Sequence, residues 1–261
     1  MYDLAALDAE LAGTIFAGKL HFSPVTGSTN TDALAAARTG APHGSVFFAD
    51  EQTAGRGRGD HGWQSNAGQG LYVSVVLRPS IALAHLPLIP LAAGLAAAQA
   101  VGNAAGLNVD LRWPNDLLIG SRKTGGILVE SKSEGGKAAF VVIGIGINVH
   151  QRSFDAGLST PATSLDIESE RTVSRQALLI ALLKSLQQET SGLHDAAVVA
   201  AIPARVAQMS TWILNRRVEV QGPQACVGTT AGLDAHGFLM VRTAESTVTV
   251  QTGGIRAAET K

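Results

Sequence analysis

Residues 109–128 of the chain read VDLRWPNDLLIGSRKTGGIL. Val109–Trp113 and Leu117–Ile119 have the composition of short β-strands, and Pro114-Asn115-Asp116 between them is typical of a tight turn with an amide and a carboxylate at its tip. Lys123 enters the next strand. A short hairpin would therefore bring its ammonium group near the turn, although either half alone is equally compatible with an ordinary turn and a surface lysine.

Helices and strands alternate on both sides of this hairpin. The sequence predicts helices at 3–18, after Asn30 to about Gly40 with Asp32 completing an N-terminal cap, within 81–101, and at 174–192 and 196–208. It predicts strands at 46–49, 71–77, 126–131 and 139–149, the last two joined at Gly135-Gly136. After Trp212 only short strands with glycine-containing turns follow, which predicts a small β-barrel beginning near residue 210.

Composition and charge exclude several classes of protein. With 46% hydrophobic residues and a formal net charge of −1, the chain has no bulk attraction to nucleic acid or to an anionic membrane. Ile81–Val101 is uncharged and long enough to span a bilayer, but His85, Pro87 and Pro90 favour a buried helix. The single cysteine, Cys226, precludes an internal disulfide and favours a cytosolic compartment.

A second informative segment is the loop Gln52–Trp63, QTAGRGRGDHGW. Its alternating glycines allow a ligand to approach the backbone N–H groups closely. Arg56 and Arg58 add donors for a carboxylate or a phosphate, and Trp63 offers a flat face for a planar ring. The loop lacks the endings of a Walker A or Rossmann motif. A flexible Arg-Gly linker or a nucleic-acid-binding tail remains compatible with this segment alone.

Two further motifs are weak by themselves. Gly144-Ile145-Gly146-Ile147-Asn148 ends a very apolar strand with a polar group and room for close backbone approach. Ser28-Thr29-Asn30 is explained by helix capping alone. Taken in order, however, the motifs resemble the biotin–protein ligase family over nearly the whole chain. The matching segments are Ser28–Asn30, Gln52–Arg58 with Trp63, Arg112–Asp116, Lys123–Leu128 and Gly144–Asn148.

The resemblance implies an α+β fold in which a mixed β-sheet flanked by helices forms a class II synthetase-like catalytic domain, residues 1–210. A small SH3-like β-barrel, residues 211–261, would follow it. The implied reaction joins biotin to ATP as biotinyl-AMP, with Mg²⁺, and transfers biotin to a lysine of the biotin-carrier domain of acetyl-CoA carboxylase or a related carboxylase. Only 27 residues precede Ser28, too few for a winged-helix module, so we expect no DNA binding and no membrane partner. The sequence leaves open whether a homodimer forms.

Site residues follow from the resemblance position by position. Biotin would be bound by Ser28, Thr29, Asn30, Gln52, Gly55, Arg56, Arg58, Lys123 and Gly126. ATP would be bound by Arg58, His61, Trp63, Asn115, Lys123 and Asn148. The implied catalytic residues are Lys123, Arg58 and Asp116, and Asp116 is the implied Mg²⁺ ligand.

Three alternatives remain beside this interpretation. A ligase or acyltransferase for lipoate or octanoate would need an apolar tunnel in place of the polar loop. A non-catalytic biotin or nucleotide sensor would not need both Lys123 and Asp116. A peptide-binding adaptor would need clustered aromatic residues near the C-terminus, where Phe238 stands alone after Trp212.

The chain departs from the family pattern at His61, where a second loop arginine is usual, at Asp60 beside it, and at Arg112, where lysine is usual. We expect weaker engagement of ATP or pyrophosphate as a result. Replacing His61 with arginine should then lower the KM for ATP in a steady-state assay, because a permanent charge returns to the loop. An unchanged KM would remove this role from position 61.

Overall fold

The computed structural model describes residues 2–59 and 61–258, and within these ranges the strands form two sheets. The helices are α1 (Leu4–Glu10), α2 (Thr29–Arg38), α3 (Ile89–Ala105), α4 (Leu165–Ser169), α5 (Arg175–Ser191) and α6 (Ala196–Met209), with a 3₁₀ helix at Leu83–Leu88. The strands are β1 (Leu20–Thr26), β2 (Ser45–Gln52), β3 (Gly70–Leu77), β4 (Asp110–Arg112), β5 (Asp116–Ile119), β6 (Arg122–Glu134), β7 (Lys137–Asn148), β8 (Leu214–Gln221), β9 (Cys226–Leu233), β10 (Leu239–Arg242), β11 (Thr247–Val250) and β12 (Gly254–Ala257).

The larger sheet has the order β1-β2-β3-β7-β6-β5-β4 and is mixed, because β1 and β2 run parallel while the other neighbours run antiparallel. Its longest pairing is the hairpin of β6 and β7, which turns at Gly135 and Gly136 with φ of 58° and 78°. These values lie in the left-handed region that glycine tolerates. The predicted mixed sheet flanked by helices and the predicted hairpin are both confirmed.

Strand β7 shows how the sequence assigns the two faces of this sheet. Its odd-numbered residues from Val141 to Ile147, and Val149 just after it, are all buried in the main core, to which α3 and α5 also belong. Even-numbered residues point to the opposite face, where Phe140 and Val142 pack under α2. The next even positions are Gly144, Gly146 and Asn148. Beyond α2 this face therefore carries no apolar side chain of β7.

Helix α3 is the apolar segment that could be mistaken for a membrane span. Leu83–Ala105 is long and apolar enough to cross a bilayer, yet 67% of its most apolar window is buried inside the fold. It packs mainly against α5. Pro90 lies in its first turn, where the missing N–H costs nothing, and Gly106 caps its end with φ of 69°. The prediction of a buried helix is confirmed.

The C-terminal strands form an antiparallel sheet of order β11-β10-β9-β8-β12. Within the described ranges its outer strands β11 and β12 are not paired with each other, so the predicted SH3-like barrel is not confirmed. The sheet docks on the larger one: Trp113 Nε1 donates to the carbonyl of Gly237 at 3.0 Å, and Ser210 Oγ donates to the carbonyl of Leu111 at 2.5 Å. Buried residues of both sheets belong to one continuous core.

The N-terminal predictions were partly wrong. The helix expected at 3–18 ends at Glu10, because Gly13 and Gly18 adopt φ of 77° and 67°, which a helix does not accommodate. Strand β1, which contains Pro24, was not predicted; it lies at the sheet edge, where proline is tolerated. The short helix α4 was also missed.

The predicted cap of α2 was wrong as well. Ser28 occupies the N-cap position, but its side chain makes no capping bond within the described chain. Asp32 instead accepts a hydrogen bond of 2.6 Å from the hydroxyl of Thr26. Asp32 therefore ties β1 to α2, and the Ser28 hydroxyl is left for another partner.

The docking of the C-terminal sheet makes a testable prediction at Gly237. Its φ is 82°, and a Cβ there would lie 2.8 Å from Leu88 and 2.9 Å from Leu91. Gly120 has a φ of 59° but open space around it. We expect Gly120→Ala to lower the free energy of unfolding by about 1–2 kcal/mol through backbone strain alone. Gly237→Ala should lower the free energy of unfolding by about 1–3 kcal/mol more than Gly120→Ala does, because the added methyl group overpacks the contact with Leu88 and Leu91.

Urea unfolding of the two variants and the parent measures this difference. Equal destabilisation of both variants would show that the docked sheet yields to the added methyl group.

Candidate active site

A cavity of about 940 Å³ lies over the glycine-bearing face of the larger sheet. Gly126 of β6 pairs with Gly146 of β7, and Gly144 lies two residues along. These three glycines line the cavity. Because they lack side chains, other groups can approach the sheet backbone closely.

Trp63 of the glycine-rich loop rests on this floor. A Cβ added at Gly146 would lie 2.5 Å from Trp63 Nε1, and one added at Gly126 would lie 3.3 Å from Trp63 Cζ3. The indole N–H is buried and has no hydrogen-bond partner among the described residues. An unpaired buried donor costs about 1–3 kcal/mol, so the arrangement favours a ligand that supplies an acceptor.

A chain of charges lies beside the floor. Asp116 Oδ1 is 2.5 Å from Lys123 Nζ, and Asp116 Oδ2 is 2.6 Å from Arg112 Nη2. Arg112 also donates to the hydroxyl of Thr160 at 2.9 Å. Burial alone would raise the pKa of Asp116, but the charges of Lys123 and Arg112 and their hydrogen bonds outweigh it and lower that pKa below its usual range. Asp116 is therefore ionised and holds Lys123 in place.

The backbone of Lys123 is fixed from the other side. Its N–H donates to the carbonyl of Pro161 at 2.8 Å, and its carbonyl accepts from Thr163 N–H at 2.9 Å. The ammonium lies 5.5 Å from the centre of the Trp63 ring. The hairpin thus brings Lys123, Asp116 and the loop tryptophan together at one cavity, as the sequence predicted for the lysine and the turn.

Asp116 does not fit the predicted role of a Mg²⁺ ligand. Both of its oxygens are engaged by cationic side chains, which would repel a divalent cation. No group of three or more His, Cys, Asp or Glu residues suited to a metal occurs in the described part of the chain. Asp116, paired in this way, is therefore not available as a metal ligand.

The start of α2 forms a second polar cluster. Gln52 Oε1 accepts from the Thr29 N–H at 2.8 Å, and Gln52 Nε2 donates to Ser65 Oγ at 2.7 Å. The Thr29 and Ser74 hydroxyls are 2.9 Å apart. By contrast, the buried Ser28 Oγ and Asn30 Oδ1 find no partner within residues 2–59 and 61–258. Ser28 and Asn30 both line the cavity, so these two atoms are available to a ligand.

The loop arginines face different partners. Arg56 makes two hydrogen bonds to the Glu130 carboxylate, at 2.9 and 3.0 Å. Arg58 donates to the Gly253 carbonyl between β11 and β12. Burial lowers the pKa of Arg58, while the charge of Asp116 raises it, so Arg58 lies within the electrostatic reach of the hairpin cluster. Both arginines line the cavity.

The remaining predicted residues are placed as follows. Gly55 leaves no room for a side chain, because a Cβ would lie 2.3 Å from the Trp63 carbonyl oxygen. His61 is exposed at the cavity, and Asp60 lies outside the described residues. Asn115 Nδ2 donates to the Ile127 carbonyl at 2.8 Å, and Asn148 Nδ2 donates to the Thr163 carbonyl at 3.1 Å. Both amides therefore brace the walls of the cavity.

Two segments that line the cavity were not predicted. One is the irregular stretch between Ser153 and Ala162, and the other runs from Gly253 to Arg256 in the C-terminal sheet. Neither carries a periodic pattern or a motif in the sequence. Glu130, the partner of Arg56, was missed because an acidic residue on a strand gives no sign of the loop that will contact it.

Comparison with known proteins agrees with this geometry. The model of the biotin/lipoate A/B protein ligase family matches residues 22–148. The bifunctional ligase/repressor BirA of Bacillus spizizenii is 42% identical over 162 residues, which are 61% of this chain and 50% of that protein. The chain thus spans about half the length of the Bacillus relatives it matches.

Other relatives are covered more fully. A biotin–[acetyl-CoA-carboxylase] ligase of Mycobacterium tuberculosis is 34% identical over 88% of this chain and 85% of its own length. Biotin protein ligase from Aquifex aeolicus, solved in complex with biotin and ATP, superposes with a TM-score of 0.78 at 25% identity, over 92% of this chain and 98% of that one.

The ordered motifs, the mixed sheet with its glycine floor and these similarities have one explanation: the chain belongs to the biotin protein ligase family.

Proposed function

We propose that the protein is an ATP-dependent ligase that forms biotinyl-5′-AMP from biotin and ATP. It then transfers biotin to a lysine of the biotin-carrier protein of a carboxylase. One observation carries this proposal: a fixed ammonium, Lys123, stands beside a glycine floor in a cavity with unpaired buried polar atoms. Such a cavity suits a ligand that is both polar and flat, and that also bears an anion.

The start of α2 is the proposed biotin end of the cavity. Ser28 and Asn30 carry the buried atoms that a ureido ring would pair. Thr29 and Gln52 bond each other and so hold that helix turn against β2. The backbone at Gly55, Arg56 and Gly126 would complete the pocket. Gly55 contributes by letting the loop pack closely against Trp63 and Ser65. A ureido group has donors and an acceptor, which a purely apolar tunnel would leave unsatisfied.

The first chemical step is a displacement at phosphorus. A biotin carboxylate oxygen attacks the α-phosphorus of ATP, the bond to the β-phosphate oxygen breaks, and pyrophosphate leaves. Lys123 and Arg58 offset the repulsion between the two anions as they meet. Asp116 and Arg112 keep Lys123 in position. No side-chain nucleophile takes part, so catalysis comes from positioning and charge stabilisation.

The nucleotide would lie over the glycine floor near Trp63. The indole ring supplies a surface for adenine and a free N–H. His61 at the cavity mouth, with Asn115 and Asn148 in its walls, would complete the ATP site. The two asparagines act there chiefly through the backbone contacts they brace.

The second step transfers the acyl group. The uncharged amine of the acceptor lysine attacks the carbonyl carbon of biotinyl-AMP, AMP leaves, and an amide forms with loss of the amine proton. The acceptor is the biotin-carrier domain of acetyl-CoA carboxylase or a related carboxylase, as the names of relatives suggest. The reaction would take place in the cytoplasm.

The domain organisation is part of the same proposal. Residues 1–210 would form a class II synthetase-like catalytic domain, and 211–261 an SH3-like domain that closes one end of the cavity. Support for the second role comes from Arg58, which reaches from the loop to Gly253.

Substitution of Lys123 tests the proposed chemistry. Lys123→Ala should lower biotin- and ATP-dependent labelling of a biotin-carrier domain by about 100- to 1000-fold, since a charge aimed at the developing anion is lost. Lys132→Ala is the matched control, because Lys132 is exposed on the same strand β6. Pyrophosphate release with biotin and ATP, but without the carrier domain, reports the first step separately.

Labelling that survives the loss of Lys123 would remove its assigned role. Labelling of the carrier by lipoate in place of biotin would favour the lipoate ligase alternative.

A further inference from the structure

Glu130 of β6 connects the start of α2 to the glycine-rich loop. Its carboxylate accepts two hydrogen bonds from Arg56, at 2.9 and 3.0 Å, and a third from Asn30 Nδ2. Asn30 belongs to α2 and Arg56 to the glycine-rich loop, so a single acidic side chain contacts both elements. Its own side chain is 29% exposed, and that of Arg56 is 41% exposed.

The carboxylate determines which end of the Asn30 amide faces it. An ionised carboxylate only accepts hydrogen bonds, whereas an asparagine side chain has a donor end and an acceptor end. With Nδ2 directed at Glu130, Oδ1 must face the other way. It lies over Gly144, where a Cβ would be only 2.6 Å from it.

The acceptor end of Asn30 is buried and free. The residue is 4% exposed, and Oδ1 has no hydrogen-bond partner in the part of the chain that the structure describes. Asn30 and Gly144 both line the cavity. The site therefore presents a fixed acceptor at the cavity wall, in the space that the missing side chain of Gly144 leaves for the Asn30 amide.

We infer that Glu130 is a positioning residue that makes Asn30 an obligatory hydrogen-bond acceptor, and that it thereby selects ligands carrying an N–H group at this point. The inference rests on the proposed function, in which the ligand is biotin and the N–H belongs to its ureido ring. A ring without N–H groups, such as a dithiolane, would leave Asn30 Oδ1 unpaired. A buried polar group built to pair with a ligand discriminates strongly against analogues that lack the matching group.

A purely structural role for Glu130 would act through Arg56 by anchoring the loop. Exchanging the hydrogen-bonding roles of the two residues separates the possibilities. In Asn30→Asp alone, two carboxylates face each other. In Asn30→Asp/Glu130→Gln, the new amide donates to the new carboxylate, so an acceptor again faces the cavity. The double variant does not restore the ion pair of Arg56.

The experiment measures the Kd of the full-length variants for biotin by titration calorimetry, without ATP. We expect Asn30→Asp to bind about 100-fold more weakly, and the double variant to recover to within about tenfold of the parent. Glu130→Met, which frees the Asn30 amide, should bind about 10- to 100-fold more weakly. Glu134→Met is the matched control, because Glu134 is exposed at the end of the same strand. Thermal unfolding identifies any variant that fails to fold.

Two results would overturn the inference while leaving the proposed function intact. One is a double variant as weak as Asn30→Asp, which would mean that position 30 must donate to the ligand. The other is a Glu130→Met variant that binds biotin as well as Glu134→Met does. A parent protein that does not bind biotin would refute the proposed function and this inference together.

Discussion

The glycines of β6 and β7 are the constraint on which the site depends. Central strands of a sheet normally bury side chains on both faces, and the odd-numbered residues of β7 do so on one of them. On the other face, beyond the part that α2 covers, Gly144 and Gly146 carry no side chain, and Asn30 and Trp63 occupy the space above them. Any side chain at these positions would collide with Asn30 or Trp63 at about 2.5 Å. The cavity is therefore a property of strand alternation combined with glycine at two even positions.

A largely buried carboxylate between two cations is the second constraint. Removing most of Asp116 from solvent costs desolvation energy, which paired charges and hydrogen bonds must offset. Arg112 contributes Nε and Nη2, at 3.1 and 2.6 Å, to one carboxylate oxygen, which leaves the other oxygen for Lys123. The arginine at position 112 thus helps to determine which way the lysine points. Its guanidinium also stacks over Trp212, 5.4 Å from the ring centre, which links the hairpin to the start of the C-terminal sheet.

Much of this fold could be predicted from the sequence, for reasons that particular residues make clear. The β6–β7 hairpin, α3, α5 and the C-terminal strands follow from period, turn glycines and length. The N-terminal helix could not be delimited, because Leu11 and Ile15 keep a helix-like apolar spacing although Gly13 breaks the helix. Closure of the last five strands into a barrel was expected only from their short length and glycine-containing turns. These features do not specify how the outer strands pair. The meeting of Lys123 with Asp116 was predictable because a hairpin is local, whereas the contact of Arg56 with Glu130 is 74 residues apart in sequence and left no local sign.

The glycine-rich loop shows why a sequence motif predicts the location of a site better than it predicts the contacts of each side chain. Glycines alternate with arginines in the sequence, which suggests that both guanidinium groups face one anion. In the structure Arg56 turns to a strand of the larger sheet and Arg58 to a turn of the smaller one. Trp63, farther along the loop, lies on the floor itself. The hydrogen bonds of Arg56 and Arg58 attach the loop to both sheets, and so hold the Trp63 indole against the glycines. Burying its unpaired N–H there costs free energy, which these two contacts help to offset. The glycine-rich loop, the glycine floor and the hairpin therefore pack together, and Glu130 stabilises this arrangement by contacting both the loop and α2.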